Sequence, residues 1–319
     1  MKIAIGIDTS CYTTSVAAVG SEGEHIASCR KLLPVSQGAC GLRQSEAVFI
    51  HIKQLPPLYH ELMQIVRGWN GEIVGVGVST TPRAQEDSYM PVFLAGTSFA
   101  QVISDSLAVK RISTSHQHGH IHAGWVGNHI PSTPYMALHI SGGTMELLYV
   151  QNNTIQIVGG TLDLHAGQLI DRVGVALGYG FPAGKAVEAL ALSCKEEAQA
   201  CLPTCMRDQD LHCHLSGVET KVQQWIQKGQ YPPEQIALEI FDFLSRTICR
   251  MLLAGQKKTG TQQVLIVGGV ASSTLLRSML QTRLRKQYRS SLQLVFGKPE
   301  YSADNAVGVA KIALDTLTR

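Results

Sequence analysis

Residues 114–124 read TSHQHGHIHAG, with histidines at 116, 118, 120 and 122. Imidazole is the commonest protein ligand for metals, so this run is a candidate metal site. Backbone geometry decides which rings can act together. A strand turns all four to one face. A helix puts His116 and His120 on one face and His118 and His122 on roughly the opposite one. Ser113, Thr114 and Ser115 are good N-cap residues, and the VGNHIPSTP that follows reads as a loop. One or two helical turns therefore fit better than a strand, although Gly119 costs about 1 kcal/mol in a helix interior. A helix gives one histidine pair a shared task and leaves the other pair as bystanders. Four surface histidines that hold nothing satisfy the run equally well. A metal site needs a third ligand from elsewhere in the chain.

Glycine-rich turns after strands are the second chemical signal. SGGT at 141–144 and the pair Gly268 and Gly269 put backbone N–H groups where phosphate oxygens can reach them. Each alone is an ordinary turn. Together with the hairpin at 9–14 they point to a nucleotide held between two lobes. No P-loop pattern occurs, and GYGFPA at 178–183 matches a dinucleotide fingerprint only formally, because it follows a helix and contains Pro182. A zinc peptidase with HxxxH needs a Glu after the first histidine as general base. Gln117 stands there and cannot take a proton, which speaks against peptidase chemistry. The basic run of Arg283, Arg285, Lys286 and Arg289, with Tyr288 interleaved, suits a nucleic-acid backbone, but a solvated helix face is the commoner meaning.

The elements that must position these residues are readable too. KIAIGIDTS, CYTT and SVAAVG make strand, tight turn, strand, and YMALHI, SGGT and MELLYV repeat the pattern. VLIVGG followed by VASSTLLRSMLQTRLRK reads as a buried strand, a turn and a helix. Helical periodicity marks SEAVFIHIKQLPPLYHELMQIV with a break at Pro56 and Pro57, two stretches on either side of YGFP, and a long helix over PEQIALEIFDFLSRTICRMLLAGQKK. The last helix, in SADNAVGVAKIALDTL, takes Ser302 as its expected N-cap. Strands mixed with helices make the fold α/β.

With 319 residues, 45% hydrophobic and 16% charged, the chain has the make-up of a soluble protein with room for two domains. A net charge of +3 is compatible with RNA without demanding it. Asp8 interrupts the first apolar run too early for a signal peptide, and no stretch of 18 apolar residues spans a membrane. Eight cysteines without a CxxC pair fit reduced thiols in a cytosol. A cytoplasmic location with no membrane contact is the expectation.

In their order along the chain, seven segments resemble the TsaD family, the transferases that make threonylcarbamoyladenosine in tRNA, formerly described as O-sialoglycoprotein endopeptidases. They are GIDTSCYTTSVAAV, SHQHGHIHAG, ISGGTMELLYV, DLHAGQLIDRVGVALGYGFPAGKAVEALA, HLSGVET, LIVGGVASSTLLR and YSADNAVGVA. The resemblance implies an actin-like (ASKHA) fold of two RNase H-like lobes with a nucleotide cleft between them. The first lobe is expected over 1–112, with the helix at 304–319 packing back on it, and the second over 113–303. His116, His120 and Asp304 match the family's metal ligands, which makes His118 and His122 extras. Such a donor set suits iron, zinc or manganese, a divalent ion that orients the phosphate and polarises the carbonyl under attack. His139, Ile140, Ser141, Gly142 and Gly143 match the turn near the nucleotide phosphates. Asp171 matches the acid on the ribose and Gly184 a glycine against the nucleoside. Gly268 and Gly269 belong to the same site, as does Ser273, which stands where the family has Asn. The ligand implied is ATP or an acyl-adenylate, and the partners implied are tRNA and accessory proteins of the modification pathway.

Asp8 is the one candidate for a catalytic role. It ends the first strand, and binding the metal's water and capping the turn are equally compatible with that place. The sequence also departs from the family. Tyr12 and Thr13 replace an acidic pair, STTPRAQEDS stands where a GPG turn is expected, Thr144 replaces His, and Gln168 replaces Glu. Three functions follow in order: an acyltransferase of the N6-threonylcarbamoyladenine synthase type, a lapsed or re-purposed paralogue that binds nucleotide and metal as a scaffold or regulator, and an actin-like kinase for a small metabolite.

Overall fold

Isoleucines alternate with small residues in the first strand, and this alternation gives the sheet two unlike faces. The computed structural model describes all residues except 11–12, 22–24, 35–41, 85–87, 129–133, 152–153, 205, 207–210, 303–304 and 319. Two compact units form, Met1–Ile130 with Glu300–Arg319, and Pro131–Pro299.

The first unit holds β1 (Lys2–Thr9), β2 (Thr13–Gly20), β3 (His25–Leu32), β4 (Glu72–Thr81) and β5 (Lys110–Ser115) in the order β3-β2-β1-β4-β5. β1, β2 and β3 run antiparallel to their neighbours, while β1, β4 and β5 are parallel. Ile3, Ile5 and Ile7 pack with Leu55, Leu58 and Leu62 of α1 (Gln44–Val66) and with Ala100 and Ile103 of α2 (Phe93–Ser106). Side chains alternate along a strand, so Ala4, Gly6 and Asp8 share the opposite face. That face is covered by α9 (Val307–Thr318), whose preceding residue Ala306 places its carbonyl 2.3 Å from where a Cβ on Gly6 would lie.

The second unit holds β6 (Tyr135–Ile140), β7 (Met145–Gln151), β8 (Thr154–Thr161), β9 (His212–Cys213), β10 (Gln263–Val267) and β11 (Gln293–Phe296) in the order β11-β10-β6-β7-β8-β9. The run β8-β7-β6-β10-β11 repeats β3-β2-β1-β4-β5 strand for strand, with the same orientations. Its core joins Met136, Leu138 and Ile140 to Phe241, Leu244 and Ile248 of α7 (Pro233–Thr259). Around it lie α4 (Ala166–Ala176), α5 (Gly184–Ser193), α6 (Ser216–Lys228) and α8 (Thr274–Thr282).

Four expectations need correction. The division expected at 112/113 falls at 130/131, because β5 pairs with β4 and the helix at His116–Gly124, α3, packs on α9. The helix α1 runs through Pro56 and Pro57 without a break, held to the sheet by Leu55, Leu58 and Leu62. The last helix is capped by Asn305, whose Oδ1 accepts from Val307 N–H at 3.0 Å, and not by Ser302. Arg283 of the basic run is no free cation: it pairs with the buried Asp242 and donates to Ser245 Oγ at 2.8 Å. Arg285, Lys286 and Arg289 are exposed. The described cysteines Cys29, Cys194, Cys201, Cys213 and Cys249 form no disulfide among the described residues, and burial pushes Cys29 up to about 11 and Cys249 to about 12. Among the described residues no helix is long and apolar enough to cross a membrane.

Candidate functional site

β5 hands directly into α3, and the N-cap is Ser115, whose Oγ accepts from His118 N–H at 3.2 Å. The histidine run is therefore helical, and the two pairs part as i, i+4 geometry requires. His118 and His122 are bound to their own helix. His118 Nδ1 lies 2.7 Å from Ser115 Oγ, and His122 Nδ1 lies 3.0 Å from the carbonyl of His118. Burial pushes the His122 imidazole down to about 4, which keeps it neutral.

His116 and His120 turn toward each other instead. Their Nε2 atoms are 3.0 Å apart, with the rings nearly perpendicular at 79°. His116 Nδ1 lies 3.0 Å from Asp8 Oδ1. A carboxylate only accepts, so Nδ1 carries the proton and a neutral ring keeps its lone pair at Nε2. Asp8 is fully buried, and Ser79 Oγ donates to the same oxygen. Strand alternation places both groups: Asp8 follows Ala4 and Gly6 in β1, and Ser79 follows Gly75 and Gly77 in β4. Gly119 has its own reason to be in the helix: a Cβ there would lie 2.9 Å from Val309 Cγ2 of α9. A Cβ on Gly308 of α9 would sit 1.8 Å from the Gly119 carbonyl, so the two helices touch backbone to backbone there.

Two observations bear on whether a cation fits. Ligands on one metal at about 2.0–2.1 Å lie about 2.9–3.4 Å apart for right-angle to tetrahedral geometry, and the Nε2 pair is at 3.0 Å. Asp8 Oδ2 is buried with no hydrogen-bond partner among the described residues, a local excess of acceptors that a cation relieves. The donor set fits. Asp304 lies outside the described residues, and among those that are described no three His, Cys, Asp or Glu side chains make a metal cage.

In the second unit, glycine turns and helix starts gather at the end of the sheet. His139 on β6 pairs with Val267 on the parallel β10, so the turns at 141–143 and 268–269 leave the sheet at the same edge. Ser141 N–H donates to the Thr144 carbonyl at 2.8 Å, and Gly167 N–H at the start of α4 donates to the Ser141 carbonyl at 3.2 Å. A Cβ on Gly142 or Gly143 would meet nothing within 4 Å, so this turn faces open space. Gly268 has φ +103°, and a Cβ there would lie 2.2 Å from the Ile140 carbonyl and 3.0 Å from His139 Cδ2. Only glycine lets these strand ends sit so close.

Asp171 on α4 accepts from Ala183 N–H at 2.8 Å, which fixes the start of α5 at Gly184. Glu188 on α5 accepts from Leu275 N–H and Thr274 Oγ1, both at 2.9 Å, at the start of α8. Ser273 caps α8 by accepting from Leu276 N–H at 3.1 Å, and its neighbour Gly269 is open. Carboxylates thus tie α4 to α5 and α5 to α8. The residues expected around a nucleotide gather at these turns and helix starts, where N–H groups suit anionic oxygens.

Sequence reasoning missed Ser79 and Glu188. The alternation Gly75, Gly77, Ser79 carried the signal for the first. The second carried none, because its partners lie 86 and 87 residues away. The segments that depart from the family make the following contacts. Thr13 is buried, and Thr14 Oγ1 lies 2.7 Å from both His51 Nδ1 and Gln54 Oε1, while Tyr12 lies outside the described residues. Where a glycine turn is expected, the Pro82 carbonyl accepts from Gln117 N–H at 3.0 Å and steadies the start of α3. Gln168 Oε1 accepts from His165 N–H at 3.2 Å in a capping box of α4.

Comparison with known proteins places the chain in a family and a fold. A tRNA N6-adenosine threonylcarbamoyltransferase from Thermosipho melanesiensis is 26% identical over 309 residues, covering 97% of this chain and 93% of the relative. Among solved structures, HypF of T. kodakarensis superposes with a TM-score of 0.62 at 12% identity, over 99% of this chain and 47% of that one. A ROK family glucokinase from Streptomyces griseus gives 0.56 at 9% identity, over 98% and 99%. At such identities these two speak for the fold alone, which is actin-like. The sequence model of TsaD, tRNA N6-adenosine threonylcarbamoyltransferase, matches residues 43–311. By that match over most of its length, this chain belongs to the TsaD family.

Proposed function

We propose that this protein is a cytoplasmic, metal- and nucleotide-binding transferase that moves a threonylcarbamoyl group from an adenylate to N6 of a tRNA adenosine, with accessory proteins of the same pathway. The family match over 43–311 supports the reaction class, and the convergent Nε2 atoms of His116 and His120 carry the metal part. His116, His120 and Asp304 would hold one divalent ion, iron, zinc or manganese. When bound, that ion supplies positive charge to orient the phosphate and polarise the acyl carbonyl.

The chain's own residues do the rest. Gly142 and Gly143 let an anionic oxygen approach the backbone of the turn, with Gly268 and Gly269 at the same sheet edge. Asp171 accepts from the ribose hydroxyls, and Gly184 lies flat against the nucleoside. His139 and Ile140 shape the strand end that carries the turn, and Ser273 keeps its hydroxyl proton for donation. The N6 amine attacks the carbamoyl carbon, the bond from that carbon to the phosphate oxygen breaks, AMP leaves, and the amine's extra proton passes to water. Neither the scaffold nor the kinase reading gains from the comparisons.

Purified protein supplied with the accessory proteins, the acyl-adenylate and unmodified tRNA tests this. Transfer to tRNA that disappears in His116→Ala is the expected result. Tight nucleotide binding without transfer would replace the enzyme by a scaffold, and ATP-dependent phosphorylation of a small molecule would replace it by a kinase. Metal analysis should show His116→Ala without metal and His118→Ala with it. Equal loss in both would sink the assignment to the i, i+4 pair.

A further inference from the structure

His116 uses both ring nitrogens. Nε2 faces His120 and Nδ1 faces Asp8 Oδ1, each at 3.0 Å, and the second contact joins positions 108 residues apart. Asp8 is fully buried at the end of β1, on the face that Ala4 and Gly6 keep clear of bulk. The same Oδ1 accepts from Ser79 Oγ, so the carboxylate cannot turn away without leaving two donors behind. Oδ2 is buried and has no partner among the described residues. A carboxylate kept only for stability is expected to satisfy both oxygens. This one gathers its contacts with Ser79 and His116 on one oxygen.

We infer that Asp8 is a positioning residue for the metal pair, acting on His116 through a Ser79–Asp8–His116 chain of hydrogen bonds. The inference rests on the reading of His116 and His120 as metal ligands. Asp8 accepts the Nδ1 proton, which leaves the lone pair at Nε2, fixes the rotation of the ring and makes Nε2 a more basic donor. Ser79 holds the accepting oxygen in place.

Zinc(II) titration of the full chain against a chelating dye tests this, with thermal melting of the metal-free protein alongside. Asp8→Asn keeps the shape and an accepting oxygen but removes the charge, and Asp8→Ala removes both. Zinc affinity is expected to fall about tenfold in the first and about a hundredfold in the second. Cobalt(II) bound to Asp8→Asn is expected to show a shifted d–d absorption, a change that a purely structural role does not produce. A folded Asp8→Asn that binds zinc as tightly as the original chain, while His116→Ala has lost it, overturns the inference. Zinc retained by His116→Ala overturns the metal reading itself, and is told apart by that variant alone. If the Asp8 variants do not fold, Ser79→Ala decides: a severalfold weaker zinc affinity supports the chain of bonds, and an unchanged one overturns it.

Discussion

Asp8 and His139 occupy the same place in the two sheets. Each pairs one rung before its hairpin closes, Asp8 with Ser15 and His139 with Glu146. Their surroundings are opposite in kind. Around Asp8 side chains converge, from Ser79 on the neighbouring strand and His116 on α3, over a face of Ala and Gly. Beside His139 the neighbouring strand is bulky, ending in Ile266 and Val267, the hairpin partner is Glu146, and two glycine turns add backbone N–H groups. Lone pairs on fixed rings suit a compact cation, while N–H groups in open turns suit a spread anion. One strand pattern, used twice, thus presents two different sets of groups.

Four experiments can break or sharpen that contrast. Gly308→Ala is expected to do the most damage, because its methyl would sit 1.8 Å from the Gly119 carbonyl, and overpacking of this kind costs about 3 kcal/mol. Urea unfolding reads the loss, and zinc binding should go with it. Gly268→Ala comes next, at about 2 kcal/mol, from a positive φ and a clash with the Ile140 carbonyl. It should weaken adenylate binding and leave zinc binding intact, and loss of zinc in this variant would erase the contrast. Ser273→Ala removes the N-cap of α8 and should cost about 1 kcal/mol, seen as a lower urea midpoint together with weaker adenylate binding.

The smallest effect concerns His51, fully buried under the first hairpin with Nε2 2.9 Å from the Ser10 carbonyl. Burial holds its imidazole below the ordinary value, against the smaller upward pull of that carbonyl and of Asp8. The folded chain then binds this proton less readily than the unfolded one. His51 contributes stability that is intact above about pH 6.5 and declines as the pH falls below it. Urea midpoints at pH 7.5 and 5.5 should differ less in His51→Gln than in the original chain.

Much of this architecture was legible because it is local. Period-two apolar runs around CYTT and SGGT mark the two hairpins, and Ser115 ahead of the histidine run marks a helix start. The helix then parts the histidine pairs without further information. What stayed hidden depends on partners far away in the chain. Ser302 and Asn305 are both good caps, and only the approach of α9 to β2, where Ala306 N–H meets Ser15 Oγ at 2.8 Å, selects the later one. Arg283 looked like part of a basic patch, because its ion pair is with Asp242, 41 residues earlier on another helix. Asp8 was ambiguous for the same reason, since nothing near residue 8 names residue 116.

The crossing of α3 and α9 also has a bearing on how the protein is made. Residues 307–318 leave the ribosome only after the whole of 131–299 has been synthesised, yet they form one wall of the first unit. During translation the nascent first sheet must wait with Ala4, Gly6 and Asp8 uncovered while the second unit emerges and folds. The wall on which α3 rests is therefore the last part of the first unit to be synthesised.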